Sequence, residues 1–364
     1  MDAQAVRAVL ARAPALNAGN LRALLAAAAG DLPRLLDPRV LERVALTART
    51  RAYLTSPDTG VWHSDLEWIR TSGAQLILFG DSDYPPLLAQ IASPPPVLFV
   101  LGATAALQSM QVAMVGARNP TPGGRANALD FAAQLARAGL TITSGLAVGI
   151  DAASHEGALL ASGRTVAVCG TGLDEVYPRQ HADLARRILE RGAMVSELPP
   201  RSHAQRSHFP RRNRLISGLA AGTLVVEAAL GSGSLQTARC AARQGRKVFA
   251  VPGSIRNPLA RGCHELIRGG GAQLVEESGQ VLSGLEFSLE REGLARARPP
   301  VGDGSVLDKP YEMLLDALAL EPVTVDLLAE RLGLPCAALA SMLLILELEG
   351  RIAPHPGGRY GPLP

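Results

Sequence analysis

Residues 208–217, HFPRRNRLIS, set Arg211, Arg212 and Arg214 around Asn213 and then run directly into an apolar stretch. A helix start carries partial positive charge and favours anions, so three permanent cations there call for an external negative partner or a solvated loop. From Arg201 to Arg214 the chain places five arginines (Arg201, Arg206, Arg211, Arg212 and Arg214), two histidines and no acid. The same segment holds Phe209, in a protein that is only 4% aromatic. Guanidinium forks on phosphates, with an occasional ring for a base to stack on, hold single strands without regard to sequence. A run of several phosphates suits this segment better than one small substrate. A solvated basic loop with Phe209 turned inward is the competing reading, and charge alone weighs the two equally.

Other chemistry-bearing residues follow short apolar runs. GARNPTPGG offers Gly116 for a tight exit and Arg118 as a fork over whatever lies beyond. SGLAVGIDAASH, GTGLDEVYP and LGSGSLQTA are placed in the same way, and Ser232, Gly233 and Ser234 at a helix entrance make a backbone-amide nest for an anion. Glu197 and Glu227 end apolar runs and are candidate catalytic carboxylates, although such residues more often cap helices or pair with an arginine such as Arg214. His155, four residues after Asp151, reads as a structural hydrogen-bond partner, because no nucleophilic serine or cysteine setting surrounds it. GxGxxG is absent or incomplete and GxxxxGK[ST] is missing, which argues against a nicotinamide cofactor and a P-loop ATPase. Cys169, Cys240, Cys263 and Cys336 are far apart with no CxxC, so four reduced thiols and no metal site are expected. No catalytic residue and no cofactor are assigned.

The elements that must position these residues are legible from periodicity. Residues 1–72 read as a helical domain of the SAM or helix-hairpin kind, with Val6, Val9, Leu10, Leu21, Leu24 and Leu25 at helical spacing. From 73 to 290 the runs QVAMVG, LTITSG, RTVAVCG, AMVSEL, TLVVEA and RKVFAVPG alternate with helical stretches. Strands that are apolar throughout, with intervening helices, imply an α/β fold: a Rossmann-like doubly wound parallel sheet whose ligands bind beyond the carboxyl ends of the strands. Residues 291–309 read as a Pro- and Gly-containing linker, and 310–364 as a small winged helix with a wing at APHPGGRYGP.

Composition bounds the partners. The 364 residues are 47% hydrophobic and 19% charged, as in a globular chain of two or three domains. A net charge of +3 is too small to make the whole surface a polyanion trap, so a nucleic-acid site must be a local concentration of charge. Arginine supplies 34 of the 36 basic residues, a bias that by itself is weak evidence for phosphate binding. Residues 310–364 carry three arginines against seven acids, a net of −4. That domain is therefore expected to contact protein rather than phosphates, with Arg351, His355 and Arg359 on the wing as its route to DNA. No signal peptide and no bilayer-spanning run is evident, and a cytoplasmic protein is expected.

VGAR, SGLAVGIDAASHEGAL, TVAVCGTGLDEVYP, SELPP, FPRRNRLISGLA, VVEAALGSGSLQTARCAARQGRKVFAVPG and GCHELIRGGGA occur in the order and spacing of the DprA (Smf) family. The resemblance runs from about Tyr84 to Ala272. It implies an extended Rossmann fold that binds single-stranded DNA without sequence preference, protects it, and forms homodimers. It also implies delivery of the strand to the RecA recombinase in natural transformation or homologous recombination, displacing or bypassing single-strand-binding protein. Carried over by motif, Arg118, Arg206, Phe209, Arg211, Arg212, Asn213 and Arg214 are the expected DNA contacts, with Ser144, Gly145, Ser232, Gly233 and Ser234 lining the same site.

Two alternatives belong to other classes. A nucleotide hydrolase of the phosphoribohydrolase type would need a glutamate after the threonine of its glycine-rich motif, and here Thr237 is followed by Ala238 and Arg239. A transcriptional regulator acting through the winged helix conflicts with the acidity of that domain.

Overall fold

The structure, a computed structural model, describes residues 1–292 and, beyond them, 314, 317–318, 323–332, 334–335, 339, 342–343, 346, 352–355 and 359–361. The chain divides into two compact units, Met1–Arg296 and Ala297–Pro364.

The first unit is built on a nine-stranded sheet. Its strands are β1 (Gln75–Leu78), β2 (Val97–Gly102), β3 (Gln111–Val115), β4 (Thr141–Ser144), β5 (Thr165–Val168), β6 (Ala193–Ser196), β7 (Gly222–Val225), β8 (Lys247–Ala250) and β9 (Gln273–Leu274). They lie in the order β1-β2-β6-β5-β4-β3-β7-β8-β9. From β6 to β9 every pairing is parallel, while β1 and β2 join antiparallel on the β6 edge. The six expected runs are β3 to β8. The antiparallel edge pair β1–β2 is an addition, built from AQLILFG and PVLFVLG, whose apolar runs extend the sheet past its parallel part.

Alternation along the strands explains why both faces are covered. Val112 and Met114 of β3 point into one core with Ile142, Leu224 and Phe249, beneath Phe131 and Leu135 of the helix Pro122–Arg137. Ala113 and Val115 point into the other, with Val168, Val195 and Val225, beneath Leu215 and Leu219 of the helix His208–Leu219. A period of two on a sheet with helices on each side leaves no solvent-facing row, which is why these strands read as continuous apolar runs.

The N-terminal residues form helices that include Ala3–Arg12, Ala18–Ala27, Ala48–Thr55 and Thr59–Ser72. Asp2, Asn17, Thr47 and Asp58 cap their starts, each accepting from a backbone N–H two or three residues on. Val6, Leu10, Leu21, Leu24, Trp62 and Leu66 share one core cluster with Leu76, Leu78 and Phe99. These helices and the sheet therefore lie within a single compact unit. Among the described residues no helix is long and apolar enough to cross a membrane.

The second unit has a three-stranded antiparallel sheet, β10 (Val323–Thr324), β11 (Ala353–His355) and β12 (Arg359–Gly361), ordered β10-β12-β11, with the helix Val325–Leu332. Leu314, Leu318, Leu328, Leu339, Leu343, Leu346 and Ile352 form its core. The wing expected at residues 353–362 is the β11–β12 hairpin. The linker from 293 onward, Glu347, Glu349 and Arg351 lie outside the described residues.

Candidate nucleic-acid interface

Strand order reverses at β3: the chain steps from it through β4, β5 and β6 on one side, then returns to β7, β8 and β9 on the other. Beyond the carboxyl ends of these strands lies a cavity of about 570 Å3. Gly116, Ala117 and Arg118 after β3, Ala147 after β4, and Ser232, Gly233 and Ser234 after β7 contribute to its lining, facing Arg206, Phe209 and Arg212. A smaller recess of about 200 Å3 adjoins it, sharing Arg118, Tyr177, Phe209 and Arg212 and adding Gly145 and Pro178.

The helix His208–Leu219 starts without a side-chain cap and without an acid in its first turn. Phe209, Arg212, Asn213 and Ile216 all line the cavity, and their spacing of three, four and seven residues is one helix face. Arg211 and Arg214 fall on another face and are not in the lining. Both pair with Glu197, Arg211 at 3.1 Å and Arg214 at shorter range, and Arg214 also donates to Ser93 O at 2.6 Å. Burial lowers the Arg214 pKa, and Glu197 opposes that shift. The structure thus removes two of the three clustered cations from the cavity. One buried carboxylate, 7% exposed at its side chain, takes both.

Arg212 is the cation at the floor. It is 5% exposed, and its Nη1 donates to Gly145 O at 2.7 Å and at shorter range to Val168 O. Its Nε has no hydrogen-bond partner among the described residues. The guanidinium lies 6.0 Å from the centre of the Phe209 ring, at the outer range of a cation–π contact. Burial lowers its pKa and nearby Asp151 opposes the shift, while the Asp151 carboxyl is itself raised by burial, against Arg212 and the N–H groups of Ala147 and Gly145. Arg118 and Arg206 are exposed at the rim and form no ion pair among the described residues. The cavity therefore presents two guanidinium groups without an ion pair at its mouth and one desolvated cation below, with Asp151 as the only carboxylate in the lining among the described residues.

The backbone adds to this. Helix Gly233–Arg243 begins at the cavity with Ser232 as an uncapped start, its hydroxyl shared with that of Ser234 at 2.8 Å. First-turn N–H groups of such a helix attract anions. Asn213 Nδ2 donates to Gly233 O at 3.3 Å and ties this turn to the arginine helix. Two glycines permit the close approach of loops. Gly149, at φ +84°, leaves no room for a Cβ against Ala117 O, and a Cβ on Gly145 would stand 2.6 Å from Arg212 Nη2. We expect Gly145→Ala to displace Arg212 from its carbonyls and to cost about 1–3 kcal/mol of stability, as overpacked sites do. A urea unfolding midpoint checks this, and a parallel oligonucleotide titration should show weakened binding.

Ser144, expected in the lining, lies behind it: the residue is fully buried and its hydroxyl donates to Met114 O at 2.6 Å. Tyr177, Asp151 and Thr237 line the cavity without having been singled out. All three belong to segments already marked by position, GTGLDEVYP, SGLAVGIDAASH and LGSGSLQTA, with Asp151 and Thr237 in the helices that follow their loops, and the Tyr177 and Phe209 rings stand 5.4 Å apart.

Glu227, a candidate catalytic carboxylate, and His155, expected to be a structural hydrogen-bond partner, both serve structure. Glu227 accepts from Thr121 N at 2.9 Å, Thr121 Oγ1 at 2.7 Å and Asn257 Nδ2 at 3.0 Å, so its oxygens hold the loop that carries Arg118. His155 is fully buried, with Nδ1 2.6 Å from Thr165 Oγ1, and burial pushes its pKa down to about 3. Because Thr165 gives its own proton to Ile142 O, the histidine is the donor in that contact.

Comparison with known proteins bears on this site. Residues 75–286 match the family model for DNA recombination-mediator protein A, and 297–358 match the DprA winged helix domain. Protein Smf of Escherichia coli is 44% identical over 326 residues, 89% of this chain and 87% of that protein. DNA processing protein DprA of Bacillus subtilis is 42% identical over 202 residues, 55% of this chain and 68% of its own. The X-ray structure of DNA processing protein A from Streptococcus pneumoniae superposes with a TM-score of 0.67 at 34% identity, over 76% of this chain and 95% of that one. The Helicobacter pylori DNA processing protein A, studied for its single-stranded DNA binding mode, superposes at 0.54 with 27% identity, over 59% of this chain and 96% of that one.

Proposed function

The chain belongs to the DprA (Smf) family, and from that premise we propose that it binds single-stranded DNA without sequence preference in the cavity beyond β3, β4 and β7, and that it does so without catalysis. The observation that carries this reading is the arrangement of Arg118 and Arg206 at the mouth, Arg212 at the floor and the rings of Phe209 and Tyr177 in the wall. Free guanidinium groups take successive phosphates, the uncapped helix at Gly233 takes another, and the rings offer faces to bases. Ser232, Gly233, Ser234, Gly145 and Asn213 shape the backbone that the strand meets. Arg211, Arg214 and Ser144 act one layer behind it. Glu227, with its lone pairs committed to Thr121 and Asn257, supports a non-enzymatic site.

The family reading extends to protection of incoming strands and loading of RecA in natural transformation or recombination, in the cytoplasm, with single-strand-binding protein displaced or bypassed. A homodimer fits the β9 end of the sheet, where Leu274 is 42% exposed on the edge strand and Ile255, in the loop after β8, is 84% exposed. The linker and winged helix, residues 291–364, are proposed as the part that meets protein partners.

Titration of labelled oligothymidylate over a salt series tests the reading. Log K should fall linearly with log salt, by roughly 0.7 for each phosphate neutralised on a single strand, giving a slope near −2 for the two rim arginines and Arg212. Oligoadenylate of the same length should bind within severalfold. A flat salt response, or a strong preference for one short sequence, would remove the electrostatic basis of the proposal.

A further inference from the structure

Resting on that reading of the cavity, we infer that Asp65, on a helix that does not reach the cavity, is a positioning residue for the wall that carries Tyr177, Arg206 and Phe209.

Asp65 sits on the helix Thr59–Ser72 and is 1% exposed. Its carboxylate receives Nε and Nη2 of Arg12 at 2.6 and 2.9 Å, and Nη2 of Arg201 at 2.6 Å. A buried carboxylate is tolerated only when it is paired and hydrogen-bonded, so this one is committed to both guanidinium groups. Each arginine also grips the opposite side of the junction. Arg12 Nη2 donates to Pro200 O at 2.8 Å, while Arg201 reaches Ser64 Oγ and, at 3.3 Å, Val61 O. Arg201 is thus the one member of the arginine-rich segment turned toward the N-terminal helices.

The latch bears on a conformation that does not form by itself. Arg201 has φ +63°, the left-handed region that residues with a Cβ rarely adopt. There its N–H donates to both oxygens of Asp174, at 2.9 and 2.8 Å. Gly172 N donates to Ser202 O at 2.9 Å, and His203 Nδ1 lies 2.9 Å from Glu175 Oε2. The loop after β5 and the loop after β6 are thereby stitched into one body. Tyr177 projects from its first arm, and Arg206 and Phe209 follow on its second. Releasing Arg201 lets its backbone relax toward the ordinary region and redirects both arms, although no cavity residue is changed.

The test uses the full-length protein and anisotropy of a labelled oligothymidylate. Asp65→Asn and, separately, Arg201→Gly are compared with wild type. Glycine accepts the positive φ, so the second variant removes the guanidinium while leaving the turn accessible, and it carries the test if Asp65→Asn fails to fold. Each is expected to weaken binding about three- to tenfold, the size of coupling between groups in one network. In an Arg206→Ala/Phe209→Ala background the same changes should cost less than about twofold, whereas with Arg118→Ala the losses should multiply. The salt slope of Arg201→Gly should equal that of wild type, because Arg201 acts through Asp65 and not on a phosphate. Wild-type affinity in both folded variants overturns the inference while leaving the cavity assignment intact. A slope reduced by about 0.7 in Arg201→Gly overturns it in favour of direct phosphate contact. If Arg206→Ala/Phe209→Ala binds as wild type, the site assignment itself falls and the latch with it.

Discussion

Replacing Arg118 and Arg212 together with alanine is expected to lower affinity for a labelled oligothymidylate by at least about tenfold and to flatten its dependence on salt. A hydrogen bond from a charged donor is worth on the order of 1.5–3 kcal/mol, and about 1.4 kcal/mol is a factor of ten. The two residues should contribute differently. Arg118 is exposed without an ion pair among the described residues, so its removal alone should leave the unfolding midpoint where it was and reduce the salt slope by roughly 0.7. Arg212 is buried against Gly145 O and Val168 O and offsets Asp151, so its loss should also lower stability. The binding titration and a thermal unfolding curve on each single variant separate these effects. Unchanged affinity in the folded double variant would mean that the strand lies elsewhere.

Glu197→Ala should do the reverse: large in stability, small in binding. The Glu197 side chain is 7% exposed and holds Arg214, itself 19% exposed, together with Arg211. Truncating it leaves the Arg214 guanidinium partly buried, with Ser93 O still accepting from it. Breaking a buried pair costs about 3–5 kcal/mol, and the lower end applies because Ser93 O and partial solvent access remain. For a unit of this size that is a fall in unfolding midpoint of roughly 5–10 °C. Affinity for the oligonucleotide should stay within about twofold, since the pair stands outside the cavity lining, and freeing Arg211 can only add positive charge near the mouth. A variant of native stability that lost binding as Arg118→Ala does would show that Glu197, Arg211 and Arg214 belong to the strand's path after all.

The contrast between these two variants comes from which arginines the helix turns toward the cavity. Arg211, Arg212 and Arg214, three cations of one residue type within a short segment, cannot be told apart by composition. The helical period divides them, because Phe209, Arg212, Asn213 and Ile216 follow the three-and-four spacing of one face while Arg211 and Arg214 do not. That signal is usable only once the helix is known to begin at His208. The sequence offers Glu197 as a partner for an arginine such as Arg214, and Arg214 is one of the two it takes.

Local patterning by itself determined the six parallel strands, the loops that meet beyond their ends, the winged-helix elements and the neighbourhood of the arginine helix. Each of these follows from side-chain period, turn residues and β-branched runs, which act over a few residues. Tertiary structure alone decided which guanidinium groups face the cavity, that Ser144 lies behind its floor, and that Arg201 is bound to Asp65, 136 positions away. It also decided that β1 and β2 close the sheet on the β6 edge. The ion pairs depend on which buried carboxylate lies nearest each cation once the chain has folded, because a desolvated charge takes whatever opposite charge the fold brings within reach, while Ser144 and the β1–β2 edge are set by packing and strand pairing between distant segments.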